Sequence, residues 1–496
     1  MGLDPILVRE RNFLQPPPPG PSKGLAPAEP STGDHGSQDQ KQEPGFLATP
    51  QSWVMKDSFG SSFLAKEYTQ LRCWYGLKES CSFLERQSKV QEFNKSNIWR
   101  KRGIAMTNCR FDGSVQSKTA LVTIYGDGSV MLSHGGLEMG QGLSTKVLQV
   151  AAYELGKLLP DHQKPLPLSL FQANDVTSDS QPNNGTTAGS TGSESTCEAI
   201  LRACAQLRAS LAKHVQERGT AEETWKTAVS GLKSSNEAPL AAIGFSDAKT
   251  NVQGSAERVP MKYNVFGAAC SEVEVNLLTG EKTLLRSDIL YDCGRSLNPA
   301  IDVGQVEGAF VMGIGVLATE EVEYDSQTGK LLQDSTWNYK IPSATCVPQQ
   351  LNVAFLENSP NPLGVLSSKC VGEPPLMLSA SCLSAFGMAV QAGRQQLASL
   401  DPDYVVSQPP AAAALDGATA EARLSSELPA AEPLRIRYVE ARTGVTLPAF
   451  ASIEAPMTTA RMKASLGAFR IANILAQVSG KGFASSLENE SSYELL

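Results

Sequence analysis

Histidine is scarce in this sequence. His35, His134, His162 and His214 are the only four in 496 residues, too scattered to cluster around a metal. The ten cysteines run from Cys73 to Cys382 without one C-x-x-C pair, which excludes a zinc ribbon and an iron–sulfur ligand set. Positive charge is not in excess. The formal net charge is −8 and the pI about 5.3, which argues against a general nucleic-acid binder. The one basic run, Arg100, Lys101 and Arg102, reads as a solvated edge. No stretch approaches the roughly eighteen uninterrupted apolar residues of a membrane span. The N-terminus lacks a signal-peptide layout, and Ile6 stands where a myristoylation signal needs Ser or Thr. A cytoplasmic protein is expected, with no membrane or nucleic-acid partner and no disulfides.

What is present is an ordinary globular balance, 41% hydrophobic and 19% charged. Residues 1–59 are rich in Pro, Gly, Ser and Gln and read as a disordered low-complexity segment. An α+β fold is expected in two halves, 60–258 and 259–400. An Ala/Pro-rich flexible insert follows at 401–434, then a strand/helix extension and tail at 435–496. "ALVTIYGDGSVMLSH" (120–134) alternates around an Asp-Gly turn and predicts a hairpin. A second strand pair is expected from Ala268, and a third hairpin at "VEYDSQTGKLL" (322–332). Ile200, Cys204, Leu207 and Leu211 share one face of a predicted helix, with Ser193 or Ser195 as its N-cap. Strand pairs thus feed polar or glycine-rich loops, and each loop enters a helix.

Four loops are candidates for chemistry. "HGGLEMGQGLSTK" (134–146) crowds four glycines ahead of a helix. Its bare amides would suit an anion, or the glycines only serve a turn. "NNGTTAGSTGSES" (183–195) offers glycines, five hydroxyls and a helix start. It would hold a polar ligand or act as a flexible linker. "KCVGEPP" (369–375) sets Glu373 between Gly372 and two prolines, either as a plain helix-start carboxylate or as a general base. "NPAIDVGQVEGAF" (298–310) carries Gln305 and Glu307 on an apolar helix, either a surface stripe or buried polar groups needing partners.

In this order "GGLEMGQGLSTK", "TTAGSTGSESTCEA", "SLNPAIDVGQVEGAF" and "KCVGEPPL" resemble the molybdenum hydroxylases, the xanthine dehydrogenases and aldehyde oxidases. "FNKSNIWRKRG" and "DILYDCGRSLNP" add to the match, which runs nearly unbroken over 85–400 and more weakly over 435–470. "YDCGRSLNPA" and "TAGSTGSE" look closest to plant-type aldehyde oxidases. The resemblance implies a molybdenum cofactor (Mo-molybdopterin). Gly136, Met139, Gly140 and Gln141 would lie along the pterin. Thr187, Ala188, Gly189, Ser190 and Gly192 would wrap the metal side, and Gln305 would reach in from the second half. Glu373 would be the base in hydroxylating an aldehyde or N-heterocycle carbon with oxygen derived from water. No residue of this chain is implied as a metal ligand. The 2Fe-2S clusters, the FAD domain and the earlier molybdopterin-binding half of that family have no counterpart here. The expectation is therefore the second molybdopterin-binding domain alone, with missing domains or a homodimer partner elsewhere. The rival expectation is a non-catalytic remnant that binds a partner chain.

Overall fold

The computed structural model describes residues 68–159, 165–174, 184–251 and 258–401, with residues 6, 9–10, 13, 54–56, 62–64, 181 and 474 besides. The insert at 401–434, apart from Asp401, and nearly all of 1–59 and 435–496 lie outside the described residues. The strands are β1 (Val54–Lys56), β2 (Ser62–Leu64), β3 (Arg100–Ser114), β4 (Lys118–Ile124), β5 (Val130–His134), β6 (Phe171–Ala173), β7 (Ala241–Ser246), β8 (Lys249–Asn251), β9 (Arg258–Pro260), β10 (Lys262–Asn276), β11 (Lys282–Tyr291) and β12 (Gln350–Phe355). The helices are α1 (Gln70–Ser80), α2 (Phe83–Ser96), α3 (Leu143–Gly156), α4 (Gly192–Leu211), α5 (Ala221–Ser235), α6 (Pro299–Ala318) and α7 (Ala380–Leu400).

The α+β class expected from the sequence is the class observed. Two four-stranded sheets carry the fold, in the orders β12-β11-β10-β3 and β6-β5-β4-β7. β3 and β10 lie on either side of residue 258, yet they pair antiparallel from Lys262↔Ser114 to Asn276↔Arg100. This pairing joins the early and late parts of the chain in one sheet. The sheet is buried on both faces, so its alternating residues serve two cores. Ile104, Met106, Phe266, Ala268 and Cys270 face α1 and α2, packing with Trp74, Cys73 and Phe83. Ala105, Cys109, Val265 and Ala269 face the main core with α7. α7 comes so near β3 that a Cβ on Gly103 would lie 1.9 Å from the Ala385 carbonyl oxygen; only glycine fits there.

The Asp-Gly hairpin is present as β4–β5, with Ala120 opposite His134. The expected hairpin at 322–332 reduces to a single bridge, Tyr324↔Leu331. That stretch is mostly exposed, and with little burial to support it the pairing does not extend. The α4 helix begins earlier than expected. Thr191 is its N-cap, and Ser195 lies inside, its hydroxyl bonding the Thr191 carbonyl at 2.8 Å. Of residues 1–59, Ile6 and Phe13 are buried against α1, Phe13 edge-on to Trp74, and Glu10 pairs with Lys78 at 2.8 Å. Two helical runs, Pro299–Ala318 and Pro374–Leu400, are long and apolar enough to cross a membrane by length and composition. Neither run is uninterrupted, since Asp302, Gln305 and Glu307 break the first and Gln391 and Arg394 the second. Val306, Phe310 and Ile314 of the first, and Leu383, Phe386 and Val390 of the second, lie in the main core.

Candidate functional site

β5 ends at His134, and the glycine loop turns straight into α3. Gly142, at φ +74°, packs on Ile301 of α6. Of the two readings of this loop, an anion site or a turn, the anion position is filled by the chain itself. The Glu138 carboxylate accepts from the amides of Gly140 (3.0 Å), Gly142 (3.0 Å) and Ser144 (2.8 Å). Gly142 is the N-cap of α3 and Ser144 lies in its first turn, donors that a helix start leaves free, so a carboxylate a few residues away caps them cheaply. Partial burial raises the Glu138 pKa, but the amides outweigh that and hold it below the ordinary value. Gln141 is turned inward as well. Its Oε1 accepts from the Met139 amide and its Nε2 donates to the Leu137 carbonyl, each at 2.7 Å.

The hydroxyl loop lies alongside. The Leu137 amide donates to Thr187 Oγ1 at 3.0 Å, joining the two loops. Lys118 of β4 supports the loop from below, donating to the carbonyls of Gly185 (2.5 Å) and Thr186 (3.1 Å). Lys118 is 2% exposed, and that burial lowers its pKa. Ser190 is left-handed at φ +59°, a conformation that costs an L-residue roughly 1–2 kcal/mol. Two contacts hold it there. Its Oγ donates to Glu373 Oε2 and accepts from the Glu373 amide, both at 2.7 Å.

α6 completes the cluster. Asn298 caps it by accepting from the Ile301 amide at 3.1 Å, and Pro299 suits its first turn. A Cβ on Gly372 would lie 2.8 Å from Ser190 Oγ and 3.8 Å from Gln305 Oε1. Ser190, Gln305 and Glu373 therefore meet around Gly372. Beneath them Lys146 of α3 pairs with Asp302 of α6 at 2.6 Å, both nearly sealed from solvent. Ser296 donates to the same carboxylate at 2.5 Å.

Most of the expected residues are therefore neighbours. Met139, Gly140, Ala188 and Glu373 are exposed, while Gln141, Thr187, Gly189, Ser190, Gly192 and Gln305 are half-buried. Gly136 is not at the open surface. It is buried, and a Cβ there would meet Leu143 at 2.5 Å and Thr196 at 2.7 Å. Sequence reasoning missed Glu138, Lys118 and Lys146. Glu138 carried a readable signal, a carboxylate just ahead of a helix start. The lysines carried none, because their partners are distant in the chain. Among the described residues no group of three or more His, Cys, Asp or Glu could hold a metal ion.

Glycines of the two loops and of α6 leave main chain uncovered. Cβ atoms placed on Gly140, Gly189, Gly304 and Gly308 would meet nothing within 4 Å. Gly304, Gln305 and Gly308 share one face of α6.

The family model described as "molybdopterin cofactor-binding domain" matches residues 76–348. The chain is 42% identical over 331 residues to an indole-3-acetaldehyde oxidase of Arabidopsis thaliana, covering 67% of this chain and 24% of that protein. To aldehyde oxidase 2 of Rattus norvegicus it is 38% identical over 375 residues, covering 74% of this chain and 26% of the relative. The chain thus spans about a quarter of the length of these relatives. Among solved structures it resembles quinoline 2-oxidoreductase from Pseudomonas putida 86, with TM-score 0.56 and 20% identity over 69% of this chain and 45% of that one. It also resembles the aldehyde oxidoreductase from Desulfovibrio desulfuricans ATCC 27774, with TM-score 0.53 and 21% identity over 68% of this chain and 35% of that one. At such identities the structural likeness bears on the fold alone.

Proposed function

The chain belongs to the molybdopterin cofactor-binding domain family, and from that premise we propose that it is the cradle and proton-handling part of an aldehyde oxidase-type oxidoreductase. The observation that carries this is the meeting of Ser190, Gln305 and Glu373 at Gly372. The uncovered main chain at Gly140 and Gly189 would admit a broad polar group. The Thr187 and Ser190 hydroxyls and the Gln305 amide are the polar groups that would hold it. When bound, the cofactor supplies the two-electron redox centre and the oxygen delivered to the substrate. Every other contribution is the chain's own. Glu373 is an exposed carboxylate, and Ser190 aims it by donating to Oε2 while accepting from the Glu373 amide, leaving Oε1 to take a proton. Pro374 and Pro375, both buried, stiffen the backbone behind it. Gln141 has to release its two loop bonds to reach a ligand.

The substrate is a small aldehyde, the class named in the relatives, or an N-heterocycle, as the resemblance of the loops implies. The cytoplasm is the expected site of action, supported by ten unpaired cysteines. The missing redox domains of the family or a second copy are the expected partners. Molybdenum analysis and dye-linked aldehyde oxidation of the purified protein test the reading. Stoichiometric molybdenum is expected, with activity lost in Glu373→Gln and metal content retained.

A second reading, a non-catalytic chain that binds a partner, is favoured by the exposed apolar residues Met312, Val316, Trp337 and Ile341 on and after α6. A well-folded protein without molybdenum would decide for it.

A further inference from the structure

Residues 368–370, just before Glu373, are tied down one after another by buried groups from other elements. Ser368 Oγ, which donates to the Val365 carbonyl at 2.8 Å, lies 3.3 Å from a Glu194 carboxyl oxygen. Lys369 pairs with Asp292 at 2.6 Å, the two side chains 5% and 0% exposed. Cys370 is held by both its main-chain groups. Its N–H donates to Tyr263 Oη at 3.0 Å, and its carbonyl accepts from Tyr291 Oη at 2.6 Å.

Both tyrosines are built into the large sheet. Tyr263 of β10 lies opposite Gly113 of β3, and Tyr291 of β11 opposite Gly267 of β10. A Cβ on Gly113 would sit 2.7 Å from the Tyr263 ring, and one on Gly267 3.0 Å from the Tyr291 ring. Each ring thus lies across a glycine of the neighbouring strand, an arrangement that fixes the ring's direction. Phenylalanine would fill the same space. The hydroxyls need partners when buried, and both find Cys370. From Cys370 the chain runs through Val371 and Gly372 to the Glu373 amide, which meets Ser190.

We propose that Tyr263 and Tyr291 are positioning residues for Glu373, clamping Cys370 so that the carboxylate stays within reach of Ser190. The functional meaning rests on the oxidoreductase reading above; the clamp itself is tested without the cofactor. In the full wild-type chain the Cys370 amide should exchange hydrogen as slowly as the interior amides of β10 and β11. Exchange at the rate of an exposed loop would overturn the clamp, and this measurement needs no variant. Tyr263→Phe, Tyr291→Phe and their combination should speed exchange across 369–373 at least tenfold, with the β10 and α7 amides unchanged. Carbodiimide labelling of Glu373 should rise at least threefold alongside. Unchanged exchange in the double variant refutes the proposal. So does equal acceleration throughout the sheet, because the tyrosines would then hold the fold and not the turn. Molybdenum content of the wild type is read separately. Local loosening in a chain that binds no molybdenum supports the clamp and counts only against the oxidoreductase reading.

Discussion

Lys146→Met offers the sharpest test of how the glycine loop and the Gln305 helix are held together. Lys146 and Asp302 are 2.6 Å apart, with side chains 5% and 4% exposed. Methionine keeps most of the lysine's length and removes its charge. Asp302 would remain buried with Ser296 as its side-chain donor. Removing one member of such a pair costs about 3–5 kcal/mol, whereas replacing both by apolar groups is often neutral. One Ser296 bond remains, so the lower end of about 3 kcal/mol is expected. With a urea slope of about 3 kcal/mol per molar for a domain of this size, the unfolding midpoint should fall by about 1 M. Lys146→Met/Asp302→Leu should recover most of that loss. Urea denaturation followed by tryptophan fluorescence measures both. A single variant losing under about 1 kcal/mol, or a double variant losing as much as the single, would refute the reasoning, since the pair would not then be a desolvated tie.

The remaining predictions concern caps, packing and buried charge. Glu138→Gln should speed amide exchange at Gly140, Gly142 and Ser144. In the wild type, protection there should persist above pH 4.5 and fade as acid protonates Glu138 below it, because its folded pKa lies under that ordinary value. Gly103→Ala should destabilise by about 3 kcal/mol or prevent folding, since the methyl would collide with the Ala385 carbonyl; soluble yield and thermal unfolding report this. Glu194 is buried at the start of α4, and desolvation raises its pKa. Its contribution to stability is therefore full below pH 4.5 and lost as pH rises through the folded value. Glu194→Gln should accordingly look weaker than wild type in acid and equal or stronger at neutral pH, as read from denaturation midpoints across that range.

Local pattern carried far into the fold. The alternating residues of 120–134 announced β4–β5, and the spacing of Ile200, Cys204, Leu207 and Leu211 announced the buried face of α4. Loop-then-helix order put Gln141, Ser190 and Glu373 at helix starts. Errors arose where local signals competed. Ser193 and Ser195 are as good a cap by type as Thr191, and the choice fell to Thr191 because the loop reaches Ser114 through its hydroxyl at 3.0 Å. The glycine loop left an anion site and a turn both open, although Glu138, a carboxylate just ahead of a helix start, was a legible candidate to cap its amides.

Chain order alone determined that strands, flexible hinges and helices alternate, and that apolar faces exist to be buried. Those features depend on neighbours within a few residues, and backbone geometry links them directly to residue type. It could not determine that Ser190 meets Glu373, 183 positions away, or that both main-chain groups of Cys370 end on two tyrosine hydroxyls. Those contacts follow from the register of β3, β10 and β11 and from the seating of α7 on Gly103. Only the folded packing sets that register, because a slip of one residue would turn every side chain to the opposite face of the sheet.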